Sequence, residues 1–297
     1  MLVVRRCGPQ SLLEDLGRPG LAHLGVSGSG AADRAALRLA NRLVGNPEDA
    51  VAVECLLGGL VVEADRIHWV AVTGAPTEVT VDGTPTGSHT PVALRAGQTL
   101  TIAPPPRGLR SYLAVRGGIE ITPTLGSGST DLLSGLGPAP LAPGTELRVG
   151  AARQPFPVTD LARWEPLRTT LRVLPGPRRD WFTDEAWRTL LTADWRVSAD
   201  ADRVAVRLTG PTLTRARTEE LPSEAMVRGA LQVPPSGLPL VFGPDHPVTG
   251  GYPVIAVLTA SDADHAGQLR PGDTVHFTSA RRFTSAPGPA SAPPRSG

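Results

Sequence analysis

The chain has 297 residues, among them 33 glycines, 31 prolines and two cysteines, and its 29 basic and 28 acidic residues leave a formal net charge of +1. Glycine and proline at about twice ordinary usage, without a fixed period, exclude collagen and long coiled coils; near-neutrality argues against nucleic acid or an anionic membrane as a partner held by bulk charge. All of the basic residues are arginine, so these residues build no Walker A loop, no lysine Schiff base and no biotin carrier.

At the start, Arg5-Arg6 is followed by no apolar segment of a signal peptide. No run of 18 apolar residues occurs either, and a cytoplasmic protein is expected. Cys7 and Cys55 have neither CxxC nor zinc spacing and read as reduced thiols. Next comes a dense polar and glycine cluster: Asp15, Gly17, Arg18, Gly20, His23, then Ser27-Gly28-Ser29-Gly30 and Asp33. Such a loop before a helix suits a carboxylate or phosphate, with Arg18 as a bidentate clamp. It equally suits a plain cap, with Ser29 on the helix and Asp15 paired to Arg18. The helix itself is predicted over 32–44, where Ala36, Leu37, Ala40, Leu43 and Val44 recur on one face and Gly45-Asn46-Pro47 stops it.

Beyond it the period is two. Glu54, inside the apolar run 51–57, is either a buried carboxylate or a solvent-facing strand residue. Val79 and Val81 precede an Asp82-Gly83 turn, and Leu100 and Ile102 share one face of a strand over 99–102. The heptamer LRAGQTL at 94–100 is echoed by LAPGTEL at 141–147 and LRPGDTV at 269–275, each a tight turn delivering a strand. Prolines 155, 157 and 166 mark a linker, giving an N-terminal β domain over 1–160 and a C-terminal β domain over 161–280. The Ser/Ala/Pro-rich stretch 281–297 is expected to be a disordered tail. Trp164, Trp181, Trp187 and Trp195 read as core or interface anchors. Short helices are predicted after Thr183 and from Ser261, and 203–208 alternates as a strand. Between two apolar runs, the loop 245–253 holds Asp245, His246, Thr249, Gly250, Gly251 and Tyr252, which offer proton transfer, an oxyanion donor and close backbone approach. His68, His89, His265 and His276 lack metal-ligand spacing, and no metal is expected.

Taken in order, DLGRPGLAHLGVSGSGAADRAALRLANRLVGNPEDAVAVECLLGG (15–59), RSYLAVRGGI (110–119), LGSGSTDLLSGLG (125–137), PGPRRDWF (175–182), ELPSEAMVRGALQVPPSGLPLV (220–241), TGGYPVIAVL (249–258) and QLRPGDTV (268–275) resemble the biotin-dependent carboxyltransferase family, in its allophanate hydrolase subunit 2 or KipA branch. The resemblance implies a mainly β fold of two cyclophilin-like β-barrel domains with a few short helices. It also implies a sister subunit of the allophanate hydrolase subunit 1 or KipI type. Three activities follow from it. The first is a subunit of a heteromeric 5-oxoprolinase that, with a third subunit and ATP, opens the lactam of 5-oxoproline to glutamate. The second is a carboxyltransferase component moving CO₂ from carboxybiotin to a urea-type amide. The third is a regulatory module that captures a KipI-like protein. No covalently bound cofactor is expected, and the ATP site of the complex cannot be placed on this chain. Two stretches depart from the branch's usual pattern: Val204-Ala205-Val206 where Met-Gly-x is common, and Pro247-Val248 where Gln-Thr is common. The chemistry of amide activation then nominates Asp245, Thr249 and Tyr252 as catalytic, with Arg18, His23, Gly250 and Gly251 binding the substrate.

Overall fold

In the strand Thr99–Ile102, Leu100 and Ile102 are fully buried while both threonines are half-buried, the alternation of a sheet with one face on the core. A computed structural model describes residues 1–158, 161–163 and 165–280. Trp164, the junction at 160 and the tail 281–297 lie outside the described residues.

The C-terminal half closes a barrel of seven strands, in the order Thr170–Pro175, Val254–Leu258, Ala230–Gln232, Leu240–Phe242, Ala205–Thr209, Trp195–Val197 and Thr274–Ser279. Closure comes from parallel pairing of the last strand with the first, Leu171 opposite Phe277. Trp195, Phe277, Leu231 and Ile255 fill the interior, and Trp181 is buried with them while Trp187 packs half-buried against the same cluster. These three tryptophans therefore serve the core. In the N-terminal half, a six-stranded and a five-stranded sheet enclose a second core that includes Val4, Val62, Val70, Leu100 and Leu113. The central strand of the five, Arg110–Val115, is buried at every position because the helix Arg34–Leu43 covers its outer face.

Three α-helices occur among the described residues. The first, α1 (Arg34–Leu43), buries Ala36, Leu37, Ala40 and Leu43 against Ala71, Tyr112 and Ala114. Its cap is Asp33, whose side chain accepts from Ala36 N at 2.9 Å; Ser29, the cap weighed from the sequence, donates its hydroxyl to Asp245 Oδ1 instead. The others, α2 (Asp184–Thr192) and α3 (Ala260–Ala266), are capped by Thr183 and Thr259. The third helix thus opens a residue before Ser261.

The echoed heptamers share one geometry. Gln98 N donates to Arg95 O, Thr145 N to Ala142 O and Asp273 N to Arg270 O, each at 3.0 Å. In each copy the glycine N–H also donates to a neighbouring strand, at Ala64 O, Val4 O and Val197 O. These are type II turns, which need a positive φ at their third residue; Gly97 and Gly272 supply it at +78° and +89°.

Candidate functional site

The two halves meet through a buried ionic joint. Arg203, 3% exposed and two residues before the strand Ala205–Thr209, crosses from the C-terminal half into the N-terminal one. Its Nη1 lies 2.5 Å from Glu54 Oε1, its Nε 2.7 Å from Asp245 Oδ2, and its Nη2 donates to Gly30 O at 2.8 Å. Glu54 is the buried carboxylate that its apolar run allowed, also receiving Arg110 Nε at 3.1 Å, Tyr112 OH at 2.7 Å and Ala32 N at 2.9 Å. Burial works against its charge, but the guanidinium groups of Arg203 and Arg110 hold its carboxyl below the usual range. Glu14 is different. Its Oε1 is 3.1 Å from Arg203 Nη2 without hydrogen-bond geometry, and neither oxygen has a partner among the described residues. Burial, reinforced by the charges of Glu54 and Asp245, pushes it well above the carboxylate range despite Arg203. Gln268 extends the joint: its Oε1 accepts from Leu109 N and Arg110 N, and its Nε2 donates to Asp33 Oδ2 at 2.8 Å. Asp33 is pushed up to about 6 by burial and by Asp264.

This joint takes up several of the residues nominated from the sequence. Asp245, 0% exposed, accepts from Ser29 Oγ at 2.7 Å and Leu132 N at 3.2 Å besides Arg203. The Gly-rich loop therefore seats directly on the 245–253 loop, an adjacency that also shows in Ser27 Oγ donating to Pro244 O. Arg18 is buried at 2%, and its guanidinium goes to the carbonyls of Ser129 and Thr124. Asp15 is met not by Arg18 but by Ser127 Oγ, Ser129 Oγ and the N–H groups of Gly17 and Gly128. His23 is exposed, with its Nδ1 3.1 Å from Gly20 O. His246, held against Pro247 O at 2.8 Å, has its pKa lowered by burial.

The rest of the 245–253 loop turns outward. Thr249 is exposed in a two-residue strand paired with Glu224–Ala225. Gly250 is packed so that a Cβ there would lie 2.5 Å from Gln232 Nε2, while the same amide donates to Tyr252 O at 3.1 Å. Gly251 and Tyr252 reach a cleft of about 770 Å³ on the barrel, walled by the segments 212–215, 218–221 and 234–237. Tyr252 is 43% exposed, with the Arg215 guanidinium carbon 5.9 Å from its ring centre. Arg215 Nη2 donates to Val233 O, and an antiparallel bridge to Phe182 fixes its backbone. Sequence reasoning missed Arg215, which sits in TLTRART, a segment without alternation or helical period. Arg203 was visible only as the first residue of an alternating run. Among the described residues, no group of three His, Cys, Asp or Glu is placed to hold a metal ion.

A mainly β molecule of two cored halves, a buried guanidinium–carboxylate joint between them and one wide cleft on the closed barrel define the class. The chain belongs to the carboxyltransferase domain family, subdomains A and B, whose sequence model matches residues 24–279. Over 280 residues it is 37% identical to a 5-oxoprolinase subunit of Escherichia coli, covering 93% of this chain and 90% of that protein. It is 30% identical to urea amidolyase of Saccharomyces cerevisiae, covering 91% of this chain but 16% of that one. The crystal structure of Kluyveromyces lactis urea carboxylase superposes with a TM-score of 0.84 at 27% identity, over 93% of this chain and 27% of that. The chain is thus about as long as the bacterial protein and a small part of the fungal enzymes. No helix among the described residues is long and apolar enough to cross a membrane.

Proposed function

We propose that the chain is a subunit of a heteromeric, ATP-dependent 5-oxoprolinase that opens the lactam of 5-oxoproline to glutamate. The observation that carries this reading is the 37% identity to the Escherichia coli 5-oxoprolinase subunit over nearly the full length of both chains. A subunit by name has partners, and the enzyme is completed by a sister of the allophanate hydrolase subunit 1 type and a third polypeptide. Breaking the lactam adds water across a resonance-stabilised C–N bond, which asks for donors on the carbonyl oxygen and a group that handles the nitrogen's proton. The 770 Å³ cleft beside Tyr252 is our candidate for that chemistry, with Gly251 leaving room on the backbone side and Thr249 close by in sequence. Asp245 and Arg18 do not line that cleft, each being committed to buried partners elsewhere.

The likeness to urea amidolyase and urea carboxylase favours a second reading, transfer of a carboxyl group to an amide nitrogen. The biotin for such a transfer has to arrive on another polypeptide, because these 297 residues contain no lysine to carry it. Co-expression with the two other subunits of a 5-oxoprolinase, followed by a glutamate-release assay, separates the two. Release that needs ATP and is indifferent to bicarbonate is expected. Bicarbonate-dependent carboxylation of an amide would install the second reading, and an assembled complex inactive in both assays would overturn the first.

A further inference from the structure

We infer that the loops 19–28, 121–145 and 244–249 build an uncharged docking face for a protein partner whose own surface there is apolar and uncharged, with Leu24, Leu125, Leu132 and Leu133 as its anchors. The inference rests on the subunit reading only for the identity of that partner, the sister subunit; the face itself is defined by where this chain puts its charges.

Charged residues make up 19% of the chain. None lies between Arg18 and Asp33, only Asp131 lies between Glu120 and Glu146, and only Asp245 between Arg228 and Asp262. In the fold these charge-poor segments are knitted together from beneath. Arg18 donates to Thr124 O and Ser129 O, Ser29 Oγ to Thr130 O and Asp245 Oδ1, and Leu132 N to Asp245 Oδ2. Asp131 turns inward and accepts from Leu133 N and Ser134 N. Arg18, Asp131 and Asp245 are thus all buried, and the exposed side chains of the three loops are uncharged, the reverse of an ordinary surface. Four of the five leucines exposed among the described residues fall here: Leu24, Leu125, Leu132 and Leu133, between 40% and 62% exposed. Leu125 is held against its own backbone preference. Thr124 and Ser127 exchange N–H···O bonds around a two-residue turn in which Leu125 and Gly126 both have positive φ, +51° and +81°, a form that favours Asn-Gly. A leucine at its first position strains the free chain and wets an apolar side chain, so neither folding nor solubility accounts for it; a contact beyond the chain does. Depletion of charge around apolar anchors is what sets the core of a protein–protein interface apart from other surface. A charge on the partner's patch would be buried unpaired against this face, so the complementary patch is uncharged as well. A lipid surface would ask for basic residues beside the leucines, and the loops expose none.

The test is assembly of the full chain with a co-expressed sister of the allophanate hydrolase subunit 1 type, its affinity read by analytical ultracentrifugation. Leu125→Asn gives the turn its preferred residue. The free chain should then melt no lower than wild type, while affinity for the sister falls about 10- to 100-fold, the range for one buried leucine. Leu24→Glu combined with Leu133→Glu would bury two unpaired carboxylates in the complex and should abolish assembly. Ile67→Glu, at a residue as exposed as Leu24 but outside these loops, should leave it unchanged. Where a variant does not fold, hydrogen exchange of the wild type decides: amides of 19–28 and 121–136 must slow when the sister is added, and those around Ile67 must not. Wild-type affinity in the leucine variants overturns the inference, as do equal damage from Ile67→Glu and a wild type that associates with no sister. A dimer of the free chain that Leu133→Glu dissociates would overturn it by giving the face to a second copy. Wild type that sediments with vesicles of equimolar phosphatidylcholine and phosphatidylglycerol, where the leucine variants do not, would overturn it by giving the face to lipid. Failure of the lactam reading shows separately, as a sister held by these leucines in a completed complex that releases no glutamate.

Discussion

Glu14 is one of three carboxylates in reach of Arg203, with Glu54 and Asp245, and is the one whose oxygens find no hydrogen-bond donor among the described residues. Because burial holds its carboxyl well above the ordinary value of 4.5, folding takes up a proton. The stability this residue contributes is complete below that value and is lost as pH rises through the folded pKa. Asp33, pushed from 3.8 to about 6 by burial and Asp264, adds a loss of the same sign over that span. Glu54 has the opposite sign, its stabilisation fading on acidification. Glu14→Gln mimics the protonated form at every pH. It should match wild type near pH 4.5 and exceed it increasingly towards pH 8, by at most about 1.4 kcal/mol per pH unit for one proton. Urea denaturation at pH 5, 7 and 8 measures this, and a variant less stable than wild type at pH 8 would sink the assignment. Little of it was legible beforehand. Glu54 could be read as a buried carboxylate from its apolar flanks, but Glu14 is defined by Arg203 and Asp245, which only the folded chain brings near. Arg18 misled for the related reason that the carbonyls of Ser129 and Thr124 are equally remote in sequence.

At the scale of elements the sequence was more readable, because a strand's period and a turn's glycine are local. The strands Thr99–Ile102, Leu240–Phe242 and Val254–Leu258 fall where apolar runs lie between turn residues, and α1 begins two residues inside its predicted span because Asp33 caps it. Thr249–Gly250 and its partner Glu224–Ala225 are two residues each, too short for any period to register. That ladder nevertheless sets the chain's exit towards Gly251 and Tyr252, so the cleft's position depends on an element no pattern marks. The recurrent turn offers the cleanest measurement. A Cβ on Gly97 would meet nothing within 4 Å, so replacement by alanine is opposed by backbone conformation alone. Gly97→Ala should lower stability by about 1 kcal/mol, with the urea m-value unchanged. A neutral outcome would mean the turn relaxes to another type without penalty.

For the whole molecule, the division into two cores and the joint between them make opposing demands. Each half has enough buried apolar surface to look independent: Trp195, Phe277 and Ile255 belong to one cluster, Val62, Leu100 and Leu113 to the other. Arg203 belongs to both. Its partners Glu54 and Glu14 lie in the N-terminal sheets, and the loop carrying its third partner, Asp245, receives Ser29 and Leu132 from that same half. Opening the halves would expose this cluster to water, but losing Arg203 while they stay closed would strand ionised carboxylates in an apolar seam. That penalty is about 3 to 5 kcal/mol for a broken buried pair. It falls on the interface and not on either core. Wild type should therefore unfold in one calorimetric transition, and Arg203→Ala should split it into two, the cores melting separately. Acid should partly restore coupling in the variant, since protonated carboxyls no longer repel, whereas in wild type the ion pairs of Glu54, whose carboxyl is held below the usual range, give way only below pH 4.5. Scanning calorimetry at pH 8, pH 5 and pH 3.5 reads both effects. One transition at an unchanged temperature in Arg203→Ala would show that apolar contacts alone join the halves and that the ionic joint adds nothing to their cooperativity.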